Sequence, residues 1–379
     1  MDKKSLQKIG NLAAIVAAIF FICTLKISAG EASHPKGDYN PTPTIMHHIA
    51  DANEFHVAGD FSIPLPVILY SAEEGLKFFL SSKFEHGKKA VDGYILDHGS
   101  VKAVKDANFP QGEVDVDVAH GKVIYNGQEY ETVPKSNLME QSSFYDFSIT
   151  KNVFSLILGS LITLFIFLTV ARAYKSRKDK APKGIQSFFE PLILFVRDEV
   201  VRPNLGAKTD KFLPYILSVF FFIWILNMLG QIPIFPGSAN VSGNIAVTLA
   251  LALFTFILTT INGNKHYWKH IFLPPVPWAI WPLMVVIEVV GLFIKPIALM
   301  IRLFANISAG HIIVLSLVSL IFVFGNAGES LGGSVAGMFV AVPFVIFIGL
   351  IELLVAFLQA FIFAMLSAVF IGMAVEEHH

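Results

Sequence analysis

From Asn152 to the end, the chain is a succession of long apolar runs separated by short polar breaks; before Asn152 it is mostly polar. Asn152 to Tyr174 carries no charge until Arg172 and is long enough for a membrane-spanning helix. Gly184 to Arg202 mixes apolar residues with Glu190, Arg197, Asp198 and Glu199 around Pro191, the pattern of an amphipathic segment lying along an interface. Phe212 to Ile234 reads as a second span ending at Pro233 and Pro236, and Ser242 to Ile261 as its return. Two longer runs follow, from about Trp278 to Phe324 and from about Val335 to Val375, joined by the turn-rich stretch Gly325 to Gly333. A helix of the second run's length would be ~60 Å long, about twice a hydrocarbon core of ~30 Å. Ordinary tilts of about 20° do not absorb that excess. No turn signal divides the second run, so steep tilt is expected rather than a pair of short spans. The expected fold is an all-α polytopic membrane protein with about five membrane-embedded helices and an amphipathic helix. Its last two helices form a long, strongly tilted hairpin.

The N-terminal third follows other periods. Met1 to about Gly30 has Lys3, Lys4 and Lys8 before an apolar core from Leu12 to Leu25, the pattern of a secretory signal peptide, whose core is short for a spanning anchor. Residues 31–150 carry short alternating runs, Glu113-Val-Asp-Val-Asp-Val-Ala and Lys122-Val-Ile-Tyr among them, with turn signals between. Asn126-Gly127 is a hairpin turn by its residue types. These features predict a small, β-rich domain, so the division expected is 1–30, 31–150 and a membrane domain over 151–379.

Composition and charge sharpen the picture. The chain has 379 residues, 54% of them hydrophobic and only 15% charged, which leaves room for one domain outside the membrane. Net charge is −1, but residues 31–150 hold nine Lys/Arg against eighteen Asp/Glu, so this segment is −9 and the rest +8. Lys175, Arg177, Lys178, Lys180 and Lys183 follow the first span, and Lys265 and Lys269 follow the third. The positive-inside rule puts both loops in the cytoplasm, residues 31–150 outside and the C-terminus inside. With one cysteine, Cys23, no internal disulfide forms. Seven of the twelve histidines fall in the polar domain, including His47, His48 and His56, but no spacing matches a structural zinc site and no metal is expected. Nothing in the charge pattern suits nucleic acid.

Charged and amide side chains inside the long runs are the candidates for chemistry. Arg302 is a fixed cation, protonated at any physiological pH. At mid-bilayer such a charge costs at least about 2.5–3.5 kcal/mol, a cost tolerated when it faces a protein partner or a wet cavity; the alternative is an arginine that snorkels to an interface, which the apolar sequence continuing beyond it disfavours. Asn306, four residues on, shares its face; His311, nine residues on, points about 180° away and lies ~13.5 Å along the axis. In the second run Glu352 and Gln359 share a face ~10.5 Å apart. Antiparallel pairing brings Gln359 near the level of Arg302 and Glu352 near that of His311, an acid and imidazole able to pass protons near neutral pH. Glu288 lies ~21 Å from Arg302 toward the cytoplasm. Chains of such groups inside membranes mark proton paths, and a buried ion pair gives no assured stabilisation that would explain them otherwise.

Arg302-Leu-Phe-Ala-Asn306 with Ala309-Gly310, together with Leu358-Gln-Ala-Phe-Ile-Phe363, Asn244-Ile-Ala-Val-Thr-Leu and Lys295-Pro296, closely resembles subunit a of F-type ATP synthases. The likeness runs from about residue 150 to the end. It implies a proton-conducting, non-catalytic stator subunit of the plasma (cell inner) membrane, without a cofactor. Its implied partners are the c-ring, peripheral-stalk subunit b, the other synthase subunits and lipid. It further implies that Arg302 faces the ring carboxylate and keeps two offset half-channels apart. Asn306, His311, Glu352, Gln359 and Asn244 match polar positions of the outer half-channel, and Glu288 matches one in the inner. Many relatives exchange the acid and the imidazole of the His311–Glu352 pair, and an aspartate is common where Asn244 stands. Two other classes compete. A stand-alone ion channel or proton-coupled secondary transporter would bring internal repeats, and none is visible. An intramembrane protease would bring an H-E-x-x-H or nucleophile–base pattern, and neither occurs.

Overall fold

In the computed structural model the described residues are 41–376, except 59–60, 98, 107, 120, 137–141, 178–179, 233–234, 236, 238 and 327–329. Of residues 43, 44, 47, 56–58, 61 and 119 only the backbone is described. The signal-peptide pattern of residues 1–30 therefore lies outside the described residues. Two compact units divide the chain: Met1–Lys151 with Ser316–Pro343, and Asn152–Leu315 with Phe344–His379.

Among the described residues the polar segment forms a helix, α1 (Thr42–Ile49), and twelve short antiparallel strands. Seven of them make one sheet in the order β8 (Glu113–Asp115), β5 (Lys89–Val91), β6 (Tyr94–Asp97), β7 (Ser100–Val104), β11 (Gln128–Pro134), β10 (Lys122–Tyr125), β9 (Asp117–Ala119). The run Glu113–Ala119, read as one strand from its alternation, is two. β8 and β9 are separated only by Val116 yet stand at opposite ends of the order. The sheet therefore curls until one extended run closes both edges, and Val116 is buried inside. Asn126 and Gly127 have φ of 50° and 78° and place Tyr125 opposite Gln128, the tight hairpin their residue types predict. β12 (Phe144–Asp146), β3 (Pro66–Ser71) and β4 (Gly75–Leu80) form a second sheet, and β1 (Glu54–Ala58) pairs with β2 (Phe61–Pro64). Val67, Leu69, Phe84, Tyr94, Val101 and Phe144 form the principal core, where alternate residues of each strand turn inward.

The chain beyond residue 150 folds as helices α2 (Lys151–Ser176), α3 (Ile185–Phe195), α4 (Thr209–Gly230), α5 (Ile245–Ile261), α6 (Lys265–Phe272), α7 (Trp281–Phe324) and α8 (Leu331–Val375), all close to where the apolar runs put them except α6, which forms in the basic stretch expected to be a loop. Four stretches among the described residues are long and apolar enough to cross a membrane, or five if α5 and α6, bent by 103°, count as one. α7 and α8 run unbroken for 44 and 45 residues despite Pro296 and Pro343. α7 and α8 approach closely near Gly337, where an added Cβ would lie 3.0 Å from the Ile321 Cα.

In the second unit α4 is the hub. Ile216, Phe220, Phe221 and Ile223 are fully buried. Around them pack Leu299, Leu303 and Ile307 of α7 and a stripe of α8, Ala360, Phe363, Ala364 and Ala368. Alanine every fourth residue lets helices approach closely where no hydrophobic drive from water exists. A Cβ on Gly159 of α2 would meet Leu226 of α4 at 2.5 Å, a second close approach. The amphipathic segment continues from α3 through a π-turn (Val196–Val201), where Val196, Val200 and Val201 are fully buried and Arg197 and Arg202 pair with Asp198 at 2.9 and 2.7 Å. Its apolar side packs into this core while Ile185 and Phe188 stay exposed.

Candidate functional site

α7 carries two kinds of position here. Leu299, Leu303 and Ile307, at four-residue spacing, face the core. Arg302 and Asn306 are exposed together with the apolar residues nearest them on the helix, Ala298, Ile301, Ala305 and Ala309. α8 exposes Leu350, Ile351, Leu353, Leu354 and Leu358 in turn. The guanidinium thus projects from a hydrocarbon surface of this chain rather than from its interior.

Past Arg302 along α7, Gly310 and His311 meet α8 at Glu352. A Cβ on Gly310 would lie 2.5 Å from Glu352 Oε1, so the missing side chain makes the space the carboxylate occupies. This register puts residue 360 opposite Arg302, eight positions away on each helix, so Gln359 lies at the level expected from spacing. Gln359 is buried, whereas Arg302 is exposed. His311 and Glu352 line one small cavity with Asn227, Gln231, Asn240 and Ser242. Its volume of about 10 Å³ suits about one water. The polar wall is ordered by hydrogen bonds: the Ser242 hydroxyl donates to Asn227 Oδ1 at 2.6 Å, and Gln231 Nε2 donates to the Glu352 carbonyl at 2.9 Å. Asn240 accepts from the Gly243 N–H at 2.9 Å, while its buried Nδ2 has no hydrogen-bond partner among the described residues. An orphan donor facing a water-sized space is what a bridging water satisfies.

Asn244 stands apart from that lining. Its side chain accepts from the Ala246 N–H at 2.9 Å as the N-cap of α5, and its own N–H donates to the Val241 carbonyl at 3.1 Å, within the turn carrying Asn240 and Ser242.

Toward the other end of α7, Glu288 borders a second, larger cavity of about 340 Å³ with His266, Tyr267, His270, Lys295 and Glu376. His270 Nδ1 lies 4.0 Å from Glu288 Oε1. Lys295 stacks its ammonium over Phe370 at 5.7 Å from the ring centroid. The cavities flank Arg302 axially: Glu288 is ~21 Å to one side and His311 ~13.5 Å to the other.

Arg302, Asn306, His311, Glu352, Gln359 and Glu288 stand out by their places in the apolar runs, and Asn244 by the family resemblance alone. Asn227, Gln231, Asn240, Ser242, His266 and His270 were passed over. Asn227 and Gln231 did leave a signal, two amides four residues apart on one face of an otherwise apolar run. Among the described residues no group of three His, Cys, Asp or Glu side chains is placed to hold a metal ion; the side chains of His47, His56, His98 and His120 lie outside them.

Residues 153–372 match the family model described as ATP synthase A chain, and residues 44–147 match a domain of unknown function (DUF8433). ATP synthase subunit a of Chlorobium phaeobacteroides (strain BS1) is 42% identical over 74% of this chain and 82% of its own. ATP synthase subunit a 2 of Prosthecochloris aestuarii is 47% identical over 61% of this chain and 69% of its own. ATP synthase subunit a of Myxococcus xanthus is 44% identical over 62% and 75%. With a family match over more than half of its length and relatives at this identity, the chain belongs to the subunit a family of F-type ATP synthases, multi-pass membrane proteins of that complex.

Proposed function

We propose that this subunit conducts protons through two offset half-channels that Arg302 holds apart, and that the rotating c-ring covers the aliphatic face from which Arg302 projects. The observation that carries the reading is the pair of polar cavities lying on opposite axial sides of one exposed guanidinium. Each ring carboxylate is tolerated in lipid when protonated and strongly disfavoured there when ionised. Arriving beside Arg302, it meets a fixed cation that favours the ionised form, and its proton leaves toward Glu288 and the larger cavity. The outer path, through His311 and Glu352 with Asn306 and Gln359 nearer the ring, restores the proton. Asn244 contributes by holding the turn that presents Asn240 and Ser242. Each charge crossing 100 mV supplies about 2.3 kcal/mol, which drives rotation only while no proton passes directly between the two paths.

The same reading sets orientation and partners. Basic residues after α2 and around α6 put those loops, the 340 Å³ cavity and the C-terminus on the cytoplasmic side of the plasma membrane. Residues 31–150 then face outward, delivered by the signal-like residues 1–30. Lengths of ~66 Å for α7 and α8 against a ~30 Å core require strong inclination, which lays both along the ring. Subunit b of the peripheral stalk anchors this stator. The subunit carries protons and catalyses no covalent step. The test is Arg302→Ala in ATP synthase reconstituted into liposomes: ATP synthesis driven by an acid–base jump should vanish. Full ATP-driven proton pumping by that variant would refute the assignment.

A further inference from the structure

We infer that the outward face of the β12–β3–β4 sheet is a lipid-contacting surface that rests the β domain on the membrane at the mouth of α2. Antiparallel sheets with one solvated face alternate apolar and polar residues. This sheet does not. Inward positions form the core: Val67 and Leu69 of β3, Phe144 of β12, and Phe79 packed against them. The outward positions are Ile68 and Tyr70, then Leu76, Phe78 and Leu80, then Tyr145 and Phe147. Six of these seven, all but Ile68, are between 45% and 69% exposed. Cross-strand register sets them in rows: Tyr145, Tyr70 and Leu76 in one, Phe147, Ile68 and Phe78 in the next. No charged side chain interrupts them, because Lys77 turns to the other side and pairs with Glu74 and Asp92.

The choice of lipid as occupant rests on continuity, area and composition. The strand ladder does not stop at β12: Phe147 N–H donates to the Ile68 carbonyl at 2.8 Å and Ile149 N–H to the Pro66 carbonyl at 3.0 Å. Lys151, the first residue of α2, is clasped by the same unit, its N–H to the Ala52 carbonyl at 2.8 Å and its ammonium to the His48 carbonyl at 3.0 Å. Phe147 thus lies four residues, at most about 14 Å, from the first turn of a membrane-spanning helix. The six exposed side chains, at roughly 150–250 Å² each if fully bare, present on the order of 600 Å². That is the upper end of what soluble monomers expose and short of the ~800 Å² per partner of a stable protein interface. Tyr and Phe are also the side chains suited to the headgroup boundary, where an apolar ring and a polar tip are both satisfied. The domain's net charge of −9 argues against electrostatic attraction to anionic lipid; the contact is hydrophobic, and phosphatidylcholine suffices.

The experiment uses ATP synthase assembled with the full-length chain in phosphatidylcholine liposomes, in a Cys23→Ser background. Single nitroxide labels are placed at Leu76→Cys, Phe78→Cys and Phe147→Cys, with Gln128→Cys at the β10–β11 tip as the aqueous reference. Collision with oxygen, which concentrates in lipid, is compared with collision with a water-soluble nickel chelate. The oxygen-to-nickel ratio should be several-fold higher at the three sheet positions than at residue 128. A ratio equal to that at residue 128 places the face in water. Low collision with both agents places it under another protein surface, a second copy included. Either result overturns the proposal, and three separate positions keep it decisive should one variant fail to assemble.

Discussion

Gly310→Ala is the sharpest probe of the outer path, because a single methyl group is aimed at a single carboxylate. The added Cβ would start 2.5 Å from Glu352 Oε1 and 3.0 Å from its Cγ. Restoring an ordinary contact near ~3.4 Å moves the carboxylate by about 0.9 Å. Proton transfer needs heavy atoms within about 2.6–3.2 Å of one another, so on the proposed path a displacement of that size would take Glu352 out of transfer range. Misplacements of ~1 Å in such geometries cost on the order of 10²-fold in rate. The fold should not suffer, since alanine is favoured over glycine in a helix by roughly 0.8–1 kcal/mol. The assay is passive proton flux through the membrane sector in vesicles stripped of the catalytic head, with assembly yield as the control. A second substitution makes the test reciprocal: Glu352→Asp withdraws the carboxylate by one methylene and should restore part of the flux in the Gly310→Ala background, while slowing it alone. Wild-type flux in Gly310→Ala, or a double variant no better than Gly310→Ala alone, would refute the assignment of this pair to the path.

Three further perturbations test separate parts of the molecule. Burial, then the 3.0 Å hydrogen bond to Glu74, raise the Tyr94 phenol above its ordinary value. Its contribution to β-domain stability is present below the unfolded value near ~10 and lost as pH rises through the higher folded one. Tyr94→Phe should therefore cost about 1 kcal/mol at neutral pH and abolish this part of the alkaline loss, followed by protease protection of the domain against pH. Asn244→Ala removes the cap of α5 and should lower thermal stability by about 0.5–2 kcal/mol, whereas Asn244→Asp keeps the cap and should keep both stability and flux; a stable but non-conducting Asn244→Asp would point to a direct role for the amide. Ala364→Leu forces a larger side chain into a fully buried position of the α8 stripe, and overpacking of about 1–3 kcal/mol should appear as reduced assembly yield on native gels.

What the residue pattern reveals, and what it hides, follows from the range of the interactions. The spans α2, α4, α5, α7 and α8 were legible because a membrane demands long uninterrupted apolar runs, and their ends fell within a few residues of the expected ones. The level match of Glu352 with His311 was legible as well, since rise per residue is fixed and the two helices are antiparallel. Closure of the seven-stranded sheet was not. Glu113–Ala119 alternates like one strand, and nothing local says that its halves serve opposite edges. Asn240 was missed because it sits in a turn, where polar residues carry no special signal; only the fold brings it against Glu352 from more than a hundred residues away. His266 and His270 looked like ordinary cytoplasmic loop residues until α6 folded back beside Glu288.

The exposure of Arg302 leads to one last step. Stated for a single chain in water, an exposed arginine needs no explanation. Here the exposed residues around it are alanine and isoleucine on α7 and leucine on α8. Water is a poor partner for that surface, and lipid is a poor partner for the guanidinium, at a cost of at least about 2.5–3.5 kcal/mol. A second protein surface that is apolar overall but brings one carboxylate at a time to the level of residue 302 satisfies both demands. A stand-alone channel would instead turn its charge toward a pore of its own, with an apolar exterior uninterrupted by arginine. Under the proposed function, the position of Arg302 outside the packed core, beside Leu303 within it, is the feature that would separate a stator from a self-contained channel.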